Sequence, residues 1–220
     1  MLALPVVLIA DDHPLFREAL QSVAAELMPD GDIREVASFE PAMVQAESGV
    51  DIELIFLDLN MPGMNGFSGL VALRNALPAT PIVVVSAAED AETIREAITC
   101  GASGFMPKSL SKADMVLAAR KVLDGEIYVP PVSDAADLQG GDAKLEEGIS
   151  QLTHQQRVVL QMLVIGQSNK QIAYELGIVQ STVKAHVSAI LRKLKVYSRT
   201  QAVIKAGKIL AVLGRFPVKA

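Results

Sequence analysis

The feature that most constrains this chain is a regular alternation of short apolar runs and amphipathic segments over its first 129 residues. Five runs predict β-strands, at residues 6–10, 33–37, 54–57, 82–86 and 104–106. The intervening segments have helical spacing of apolar residues and predict helices near 14–26, 41–47, 66–75, 91–100 and 112–123. Strand and helix in alternation predict an α/β, doubly wound, five-stranded parallel sheet with helices on both faces.

The rest of the chain has a different pattern. Residues 130–151 contain Pro130-Pro131, a Gly-Gly pair and clustered acids without an apolar period, which predicts a linker. From residue 152 onward the periodicity is only helical, and it predicts four short helices near 154–165, 170–176, 182–194 and 200–213. We therefore expect a first domain at 1–129, a linker at 130–151 and a small all-α domain at 152–220.

Charge divides along the same boundaries. The chain has a net charge of -5, but residues 1–128 hold 19 acids against 8 bases, and residues 129–150 hold 5 acids and one lysine. Residues 151–220 hold 11 bases and a single acid, Glu175. Such asymmetry indicates a polyanion-binding module joined to a domain that does not itself attract polyanions.

Apolar runs and cysteine content narrow the class of protein. The longest apolar runs are far shorter than the roughly 18 residues of a bilayer-spanning helix, and the first ten residues lack the basic leader of a secretion signal. Cys100 is the only cysteine, which excludes an internal disulfide framework. We expect a cytoplasmic protein that does not insert into membranes.

Acidic residues follow two of the predicted strands. Asp11 and Asp12 come directly after the first strand, and Asp58 after the third. The carboxyl ends of parallel strands form one edge of a doubly wound sheet, which is where such folds bind ligands. Three carboxylates would repel one another there unless a hard cation joined them, so Mg²⁺ with oxygen ligands is the expected cofactor.

Two further strand ends add a hydroxyl and an ammonium group. Ser86 ends the fourth strand, and Lys108 follows the fifth. Taken singly, an aspartate at a strand end is usually a helix cap and a loop lysine is usually solvated. Together, three acids, a hydroxyl and a lysine suit an aspartyl phosphate, because they provide a nucleophile, a metal site, a hydrogen-bond donor and a counter-charge.

The strand-end motifs, over about 125 residues, resemble the receiver domain of two-component signalling, a flavodoxin-like fold. They are Asp11-Asp12, Asp58-Leu-Asn-Met-Pro-Gly63, Ser86-Ala87 and Phe105-Met-Pro-Lys108, in this order along the chain. The resemblance implies that Asp58 accepts the phosphoryl group. It also implies that Asp12, Asp58 and the backbone carbonyl of Asn60 bind Mg²⁺, with Asp11 binding it through water.

The same resemblance assigns the remaining pocket residues. Lys108 would pair with the phosphoryl group, and Ser86 would turn inward to hydrogen-bond a phosphoryl oxygen. Phe105 stands at the coupled aromatic position of the switch, although an ordinary core phenylalanine is an equal alternative. His13 lies next to the acids, and a residue that merely opens the first helix before Pro14 is an equally good interpretation.

The last third has the pattern of a helix-turn-helix. Thr153 can cap a helix, Asn169 begins a second, and Gly177 separates this from a third helix that Gln180 or Ser181 would cap. A helix, a tight turn and a second helix form the geometry that inserts a recognition helix into a major groove. The face opposite the apolar stripe of the third helix carries Lys184, Ala185 and Ser188.

The segment from Leu152 to Val203 is similar to the LuxR-type helix-turn-helix. The motifs that carry the similarity are Ser168-Asn-Lys-Gln-Ile-Ala173, Ser181-Thr-Val-Lys-Ala-His186 and Arg199-Thr-Gln-Ala-Val203. By this resemblance, Lys184, Ala185 and Ser188 approach base edges. The phosphate contacts would come from Lys170, Thr182, Arg192 and Lys193.

Together the two resemblances are those of the NarL/FixJ class of transcriptional regulators. They imply a sensor histidine kinase as phosphate donor, promoter DNA and RNA polymerase as partners, an active homodimer and no enzymatic turnover. One alternative is an aspartyl-phosphate hydrolase, which needs a second acid where Asn60 stands. Another is a DNA-binding protein that does not depend on phosphorylation, although all five pocket positions are filled.

Overall fold

The computed structural model describes residues 4–131, 148–149, 151–196 and 198–212, without the side chains of 208–212. The strands are β1 (Val6–Ala10), β2 (Asp32–Val36), β3 (Ile52–Asp58), β4 (Ile82–Ser86) and β5 (Gly104–Pro107). They form one parallel sheet in the order β2-β1-β3-β4-β5. The predicted α/β doubly wound fold, followed by a helical domain, is confirmed.

The central strands β1, β3 and β4 have apolar interiors because helices cover both faces of the sheet. Every residue of β1 and β4 is buried. Leu8 and Ile55 contribute to the core on one face, whereas Val7 and Phe56 contribute to the core on the other. A strand with no solvent-facing side shows no polar alternation, which is why these strands appear in the sequence as continuous apolar runs.

Five helices flank the sheet, and their bounds are α1 (Pro14–Leu27), α2 (Phe39–Glu47), α3 (Phe67–Ala76), α4 (Ala91–Thr99) and α5 (Lys112–Leu123). Ser111 caps α5, since its side chain accepts a hydrogen bond from the Asp114 backbone N–H. Helix α2 begins two residues before its predicted start at Pro41. A proline is tolerated in the first turn of a helix because its missing N–H has no partner there.

The C-terminal helices are α6 (His154–Val164), α7 (Asn169–Leu176), α8 (Gln180–Lys193) and α9 (Arg199–Val212). Thr153 caps α6 as predicted, in a reciprocal capping box with Gln156. The predicted start of α8 was wrong, because the helix begins at Gln180 and Val179 occupies the N-cap. Gly177 ends α7 in the left-handed conformation, so the three residues 177–179 are enough to turn the chain into α8.

The two domains touch at the amino end of the sheet. Ala79, in the loop before β4, belongs to the apolar core of the helical domain, and its carbonyl accepts a 3.4 Å hydrogen bond from Asn169 Nδ2. At the end of α4, the Thr99 carbonyl accepts from Gln201 Nε2 at 2.7 Å. The helical domain therefore contacts the sheet edge opposite the strand ends that carry Asp11 and Asp58.

Within the described residues, none of the helices has the length and apolar content needed to cross a membrane. Most of the predicted linker, residues 132–147 and 150, lies outside the described residues, as does the predicted end of the last helix at residue 213.

Candidate phosphorylation pocket and DNA-binding surface

The three predicted acids come together at the carboxyl edge of the sheet. Because β1 and β3 are neighbouring parallel strands, Asp11 after β1 and Asp58 at the end of β3 emerge side by side. Asp11 is fully buried and Asp58 is 1% exposed, whereas the Asp12 side chain is 31% exposed. Ligand atoms of these three residues and of His13 all lie within 4.8 Å of one another.

Lys108 joins two of the three carboxylates. Its Nζ lies 2.8 Å from Asp11 Oδ2 and 2.8 Å from Asp58 Oδ2. Burial by itself lowers the pKa of Lys108, but the hydrogen bonds and charges of Asp11 and Asp58 outweigh that effect and raise the pKa above its ordinary value. The ammonium group also lies over the ring of Phe16, 4.9 Å from its centroid. Lys108 is therefore a fixed positive charge beside Asp58.

Backbone donors orient the two buried carboxylates. The His13 N–H donates to Asp11 Oδ1 at 2.8 Å, and the Asn60 N–H donates to Asp58 Oδ1 at 3.0 Å. Arg17 Nη1 donates to the Asp11 carbonyl at 2.7 Å and so holds the end of β1. Neither Arg17 nor Phe16 was identified from the sequence, since a helical arginine or phenylalanine has no distinctive signal.

The two predicted switch residues lie on neighbouring strands in the core. Ser86 is 1% exposed, and its Oγ accepts a 3.1 Å hydrogen bond from the Ala88 N–H. The Lys108 N–H donates to the Ser86 carbonyl at 2.8 Å, which ties the loop after β5 to the end of β4. The ring of Phe105 is fully buried. Their roles as a switch stay predictions.

His13 occupies the N-cap of α1, before Pro14, and its side chain makes no capping hydrogen bond. Its Nδ1 instead lies 2.7 Å from Asp12 Oδ1 and 3.3 Å from Asp11 Oδ1. Both sequence interpretations of this residue are therefore partly correct. The backbone of His13 opens the helix, and its imidazole lies among the acids.

The donor set of the pocket fits Mg²⁺. Receiver domains bind this ion at an acidic pocket, and here Asp11, Asp12 and Asp58 offer the hard oxygen ligands that it prefers. Asp12 Oδ1 is buried and accepts no hydrogen bond of good geometry in the described structure, although His13 Nδ1 lies 2.7 Å away. A buried carboxylate oxygen without a donor is costly, and a cation would remove that cost.

The predicted DNA-contacting residue Lys184 lies against the first domain. Its Nζ forms an ion pair with Asp51, donates to the Ile52 carbonyl at 3.1 Å and lies 3.3 Å from Glu53 Oε2. The Lys184 side chain is only 13% exposed. Lys184, which the sequence predicted to contact a DNA base edge, is thus bound to residues at the amino end of β3.

The other predicted DNA contacts fall into two groups. Four side chains are exposed, namely Lys170, Thr182, Ala185 and Arg192. Two are engaged within the helical domain: Ser188 Oγ donates to the Lys184 carbonyl at 2.9 Å, and Lys193 Nζ donates to Gln156 Oε1 at 2.8 Å. The contact with Lys193 ties the start of α6, where Gln156 lies, to the end of α8.

Asp51 and Glu53 were not identified from the sequence as functional residues. They flank Ile52 at the start of β3, on the amino side of a strand, where acids are ordinary solvated residues. The charge difference between the two domains was the only signal that pointed toward such a contact. That difference does not name the residues that meet.

Comparison with known proteins agrees with this geometry. Residues 7–120 match the response regulator receiver domain, and residues 150–206 match the bacterial regulatory proteins of the luxR family. The chain is 45% identical over 210 residues to the glycerol metabolism activator of Pseudomonas putida, covering 92% of this chain and 95% of that protein. It is 35% identical over 202 residues to the nitrate/nitrite response regulator protein NarL of Escherichia coli K12, covering 90% of this chain and 93% of that protein.

Solved structures share the fold. A LuxR family DNA-binding response regulator from Silicibacter pomeroyi is 30% identical, with a TM-score of 0.52, and it covers 58% of this chain and 98% of its own. The RcsB response regulator of Salmonella typhimurium is 20% identical, with a TM-score of 0.53, and the match covers 93% of this chain and 98% of that one. The chain therefore belongs to the NarL/FixJ class of two-component response regulators, which join a receiver domain to a LuxR-type DNA-binding domain and regulate transcription.

Proposed function

We propose that phosphorylation of Asp58 by a sensor histidine kinase controls how the C-terminal domain binds promoter DNA. The observation that carries this proposal is the buried Asp58 carboxylate, whose Oδ2 lies 2.8 Å from Lys108 Nζ at the carboxyl edge of the sheet. A buried carboxylate beside a fixed cation is suited to hold a charged phosphoryl group, because the cation offsets the charge that the group brings.

The transfer step forms a bond between a carboxylate oxygen of Asp58 and phosphorus. The bond from phosphorus to the kinase histidine nitrogen breaks, and that nitrogen keeps the electron pair and takes a proton from solvent. Mg²⁺ would be held by Asp11, Asp12, Asp58 and the Asn60 carbonyl, and it supplies neutralisation of the phosphoryl oxygens. Lys108 supplies a second positive charge, because it already contacts the Asp58 oxygen that faces it.

Ser86 and Phe105 would report the new group to the rest of the domain. Ser86 Oγ, now an acceptor from the Ala88 N–H, would donate to a phosphoryl oxygen. This changes the loop between β4 and α4. Helix α4 runs from that loop to Thr99, whose carbonyl accepts from Gln201 of the helical domain, so one rigid element spans the distance from the pocket to the domain contact.

Release of the helical domain would free Lys184 from Asp51. The phosphate contacts would come from Lys170, Thr182, Arg192 and Lys193, and the base contacts from Lys184, Ala185 and Ser188. Two copies in a homodimer would place their recognition helices in half-sites about 34–36 Å apart. A change from a mostly closed to a mostly open population requires about 5.5 kcal/mol of differential stabilisation.

We further propose domain bounds of 1–129 for the receiver, 130–151 for the linker and 152–220 for the DNA-binding domain. The protein would act in the cytoplasm, where kinase, promoter and RNA polymerase meet. It would not act as an enzyme. The 45% identical relative is named an activator, which favours activation of transcription over repression.

The test is incorporation of labelled phosphate from acetyl phosphate in the presence of Mg²⁺. Wild type should be labelled to about one phosphate per chain, and Asp58→Ala should not be labelled. Asp114→Ala, which removes another aspartate of the receiver, should be labelled like wild type. Turnover of diverse phosphoesters would instead favour the hydrolase alternative, and no labelling of wild type would favour regulation without phosphorylation.

A further inference from the structure

A cavity of about 250 Å³ lies between the two domains. The receiver contributes the end of α5 and the turn after it, and the helical domain contributes the turn before α7 and the start of α9. The wall is mainly apolar, with Val122, Leu123 and Ile127 on the receiver side and Val203 on the helical side. An apolar cavity of roughly 150 Å³ already holds benzene. The cavity is therefore large enough for a small organic molecule that touches both domains.

Arg199 brings a largely buried positive charge to this cavity. Its Nη1 donates to Asn169 Oδ1 at 3.1 Å, and its Nη2 donates to the Gln167 carbonyl. Its Nε is buried and has no hydrogen-bond acceptor among the described residues. Burial lowers the pKa of Arg199 to about 10, so the group stays charged at neutral pH. The cavity wall thus holds a guanidinium with one donor unused.

The guanidinium lies at the boundary with the receiver, since a Cβ placed on Gly125 would be 2.6 Å from Arg199 Nη2. The two acceptors described above for Arg199 are neutral oxygens. Two acids also line the cavity, but Glu53 is paired with Lys184, and Glu126 is exposed to solvent. A buried cation with neutral partners is costly, and an anion beside it would remove much of that cost.

We propose that this cavity binds a small monocarboxylic acid with a compact apolar body, of the size of benzoate. The carboxylate accepts a hydrogen bond from Arg199 Nε, and charge-assisted bonds between guanidinium and carboxylate are among the stronger ones in proteins. The apolar body packs against Leu123, Ile127 and Val203. A singly charged carboxylate suits these apolar surroundings better than a phosphate, because it carries less charge out of water.

A ligand in this cavity stabilises the closed arrangement of the domains, because its wall comes from both of them. In that arrangement Lys184 is paired with Asp51 and Glu53. A ligand that binds one conformation shifts the population toward it, so the acid weakens DNA binding, and DNA weakens binding of the acid by the same factor. This regulatory effect rests on the proposed function, whereas the binding site itself does not.

The experiment is a titration of the unphosphorylated full chain with benzoate, followed by NMR of the ¹⁵N-labelled protein. Benzamide is the uncharged ligand of the same shape. Benzoate should bind with a dissociation constant below about 1 mM, and benzamide at least about tenfold more weakly, because it lacks the charge that pairs with Arg199. Benzoate should shift the amide signals of Gly125 in the receiver and of Gly166 and Asn169 in the helical domain.

Val203→Phe fills the cavity while leaving Arg199 in place, so it should weaken benzoate binding at least about tenfold. Val44→Phe is the matched control, because Val44 is exposed on α2 outside the cavity wall, and its affinity should equal that of wild type. Arg199→Met should lose the preference for benzoate over benzamide. Since Arg199 also holds Asn169, Val203→Phe keeps the test decisive if Arg199→Met does not fold.

Three results would overturn the proposed site. They are equal affinity for benzoate and benzamide, no benzoate binding up to about 10 mM, and unchanged binding in Val203→Phe.

The regulatory effect is measured by anisotropy with duplex DNA. Benzoate at about four times its dissociation constant should weaken DNA binding by up to about fivefold relative to an equal concentration of NaCl, because the open fraction falls by that factor. Benzoate binding with unchanged DNA affinity would overturn the regulatory part of the proposal. Failure of acetyl phosphate labelling in wild type, with benzoate binding as expected, would contradict only the proposed function.

Discussion

Lys184 and Asp51 form an ion pair across the two domains, between the helix that resembles a DNA-recognition helix and the amino edge of β3. The sequence separation is 133 residues. The side chain of Lys184 is largely buried by this contact, and Glu53 adds a second carboxylate 3.3 Å from its Nζ. A cation that would meet a DNA phosphate or base therefore has acidic partners in the receiver.

Removal of those partners should make DNA binding easier without phosphate. In the double variant Asp51→Asn/Glu53→Gln, we expect affinity for duplex DNA at low salt to rise about fivefold, since exposed or half-exposed ion pairs are each worth up to about 1 kcal/mol. Fluorescence anisotropy with unphosphorylated protein measures the effect.

The matched control for this variant is Glu18→Gln/Asp30→Asn. It removes two exposed acids of the receiver and changes the net charge by the same amount. If both double variants bind DNA equally well, general charge rather than release of Lys184 explains the gain, and the proposed role of the domain contact is wrong.

Lys108→Met should destabilise the receiver when Mg²⁺ is absent, by about 1–2 kcal/mol, because it leaves Asp11 and Asp58 without their shared counter-charge. Urea unfolding in EDTA measures this loss, and added Mg²⁺ should recover most of it. Lys112→Met is the control, since Lys112 forms an exposed pair with Glu26 and should cost less than about 0.5 kcal/mol.

The pH dependence of the stability difference between wild type and Lys108→Met follows from the raised pKa of Lys108. A base whose pKa is raised on folding stabilises the protein fully below its unfolded pKa, near 10.4, and loses that contribution as pH rises through the folded value. The stability gap between wild type and Lys108→Met should therefore stay constant from pH 7 to 9. A gap that shrinks within this range would contradict the assignment.

Asp12→Asn should stabilise the Mg²⁺-free protein, whereas Lys108→Met should destabilise it. Among the described residues, Lys108 forms ion pairs with Asp11 and Asp58 but not with Asp12, so Asp12 adds repulsion without direct compensation from that lysine. Its neutralisation should stabilise the free protein by about 0.5–1 kcal/mol. Thermal unfolding with increasing Mg²⁺ should also show a smaller gain for this variant than for wild type. Asp30→Asn should behave like wild type in both respects.

Much of the receiver could be predicted from the sequence because local signals and the fold agree there. Apolar runs identify buried strands, and a parallel sheet places the ends of its strands at one edge. Asp11, Asp58 and Lys108 follow three different strands, so their convergence requires only the topology. Their 2.8 Å contacts are a direct result of that arrangement.

The contact between the domains could not be predicted in the same way. Lys184 has the spacing of a DNA-facing residue, and nothing in its own helix indicates that Asp51 lies opposite. The engagement of Lys193 by Gln156 was missed for a related reason, since it joins the start of α6 to the end of α8, and the packing of two helices is not encoded by periodicity. The start of α8 was placed too late because serine is a better cap than valine.

The N-cap of α8 is a weak point of that helix. Val179 is 62% exposed at the N-cap of α8, has an extended backbone and makes no side-chain capping bond. Val179→Ser would supply an oxygen acceptor for an N–H of the first turn and should stabilise α8 by about 0.5–1 kcal/mol. Hydrogen exchange of α8 peptides, followed by mass spectrometry, should slow about two- to fivefold. Val179→Ala removes the same branched side chain without adding an acceptor, so its exchange should not slow in this way, and equal slowing in both variants would show that capping is not the cause.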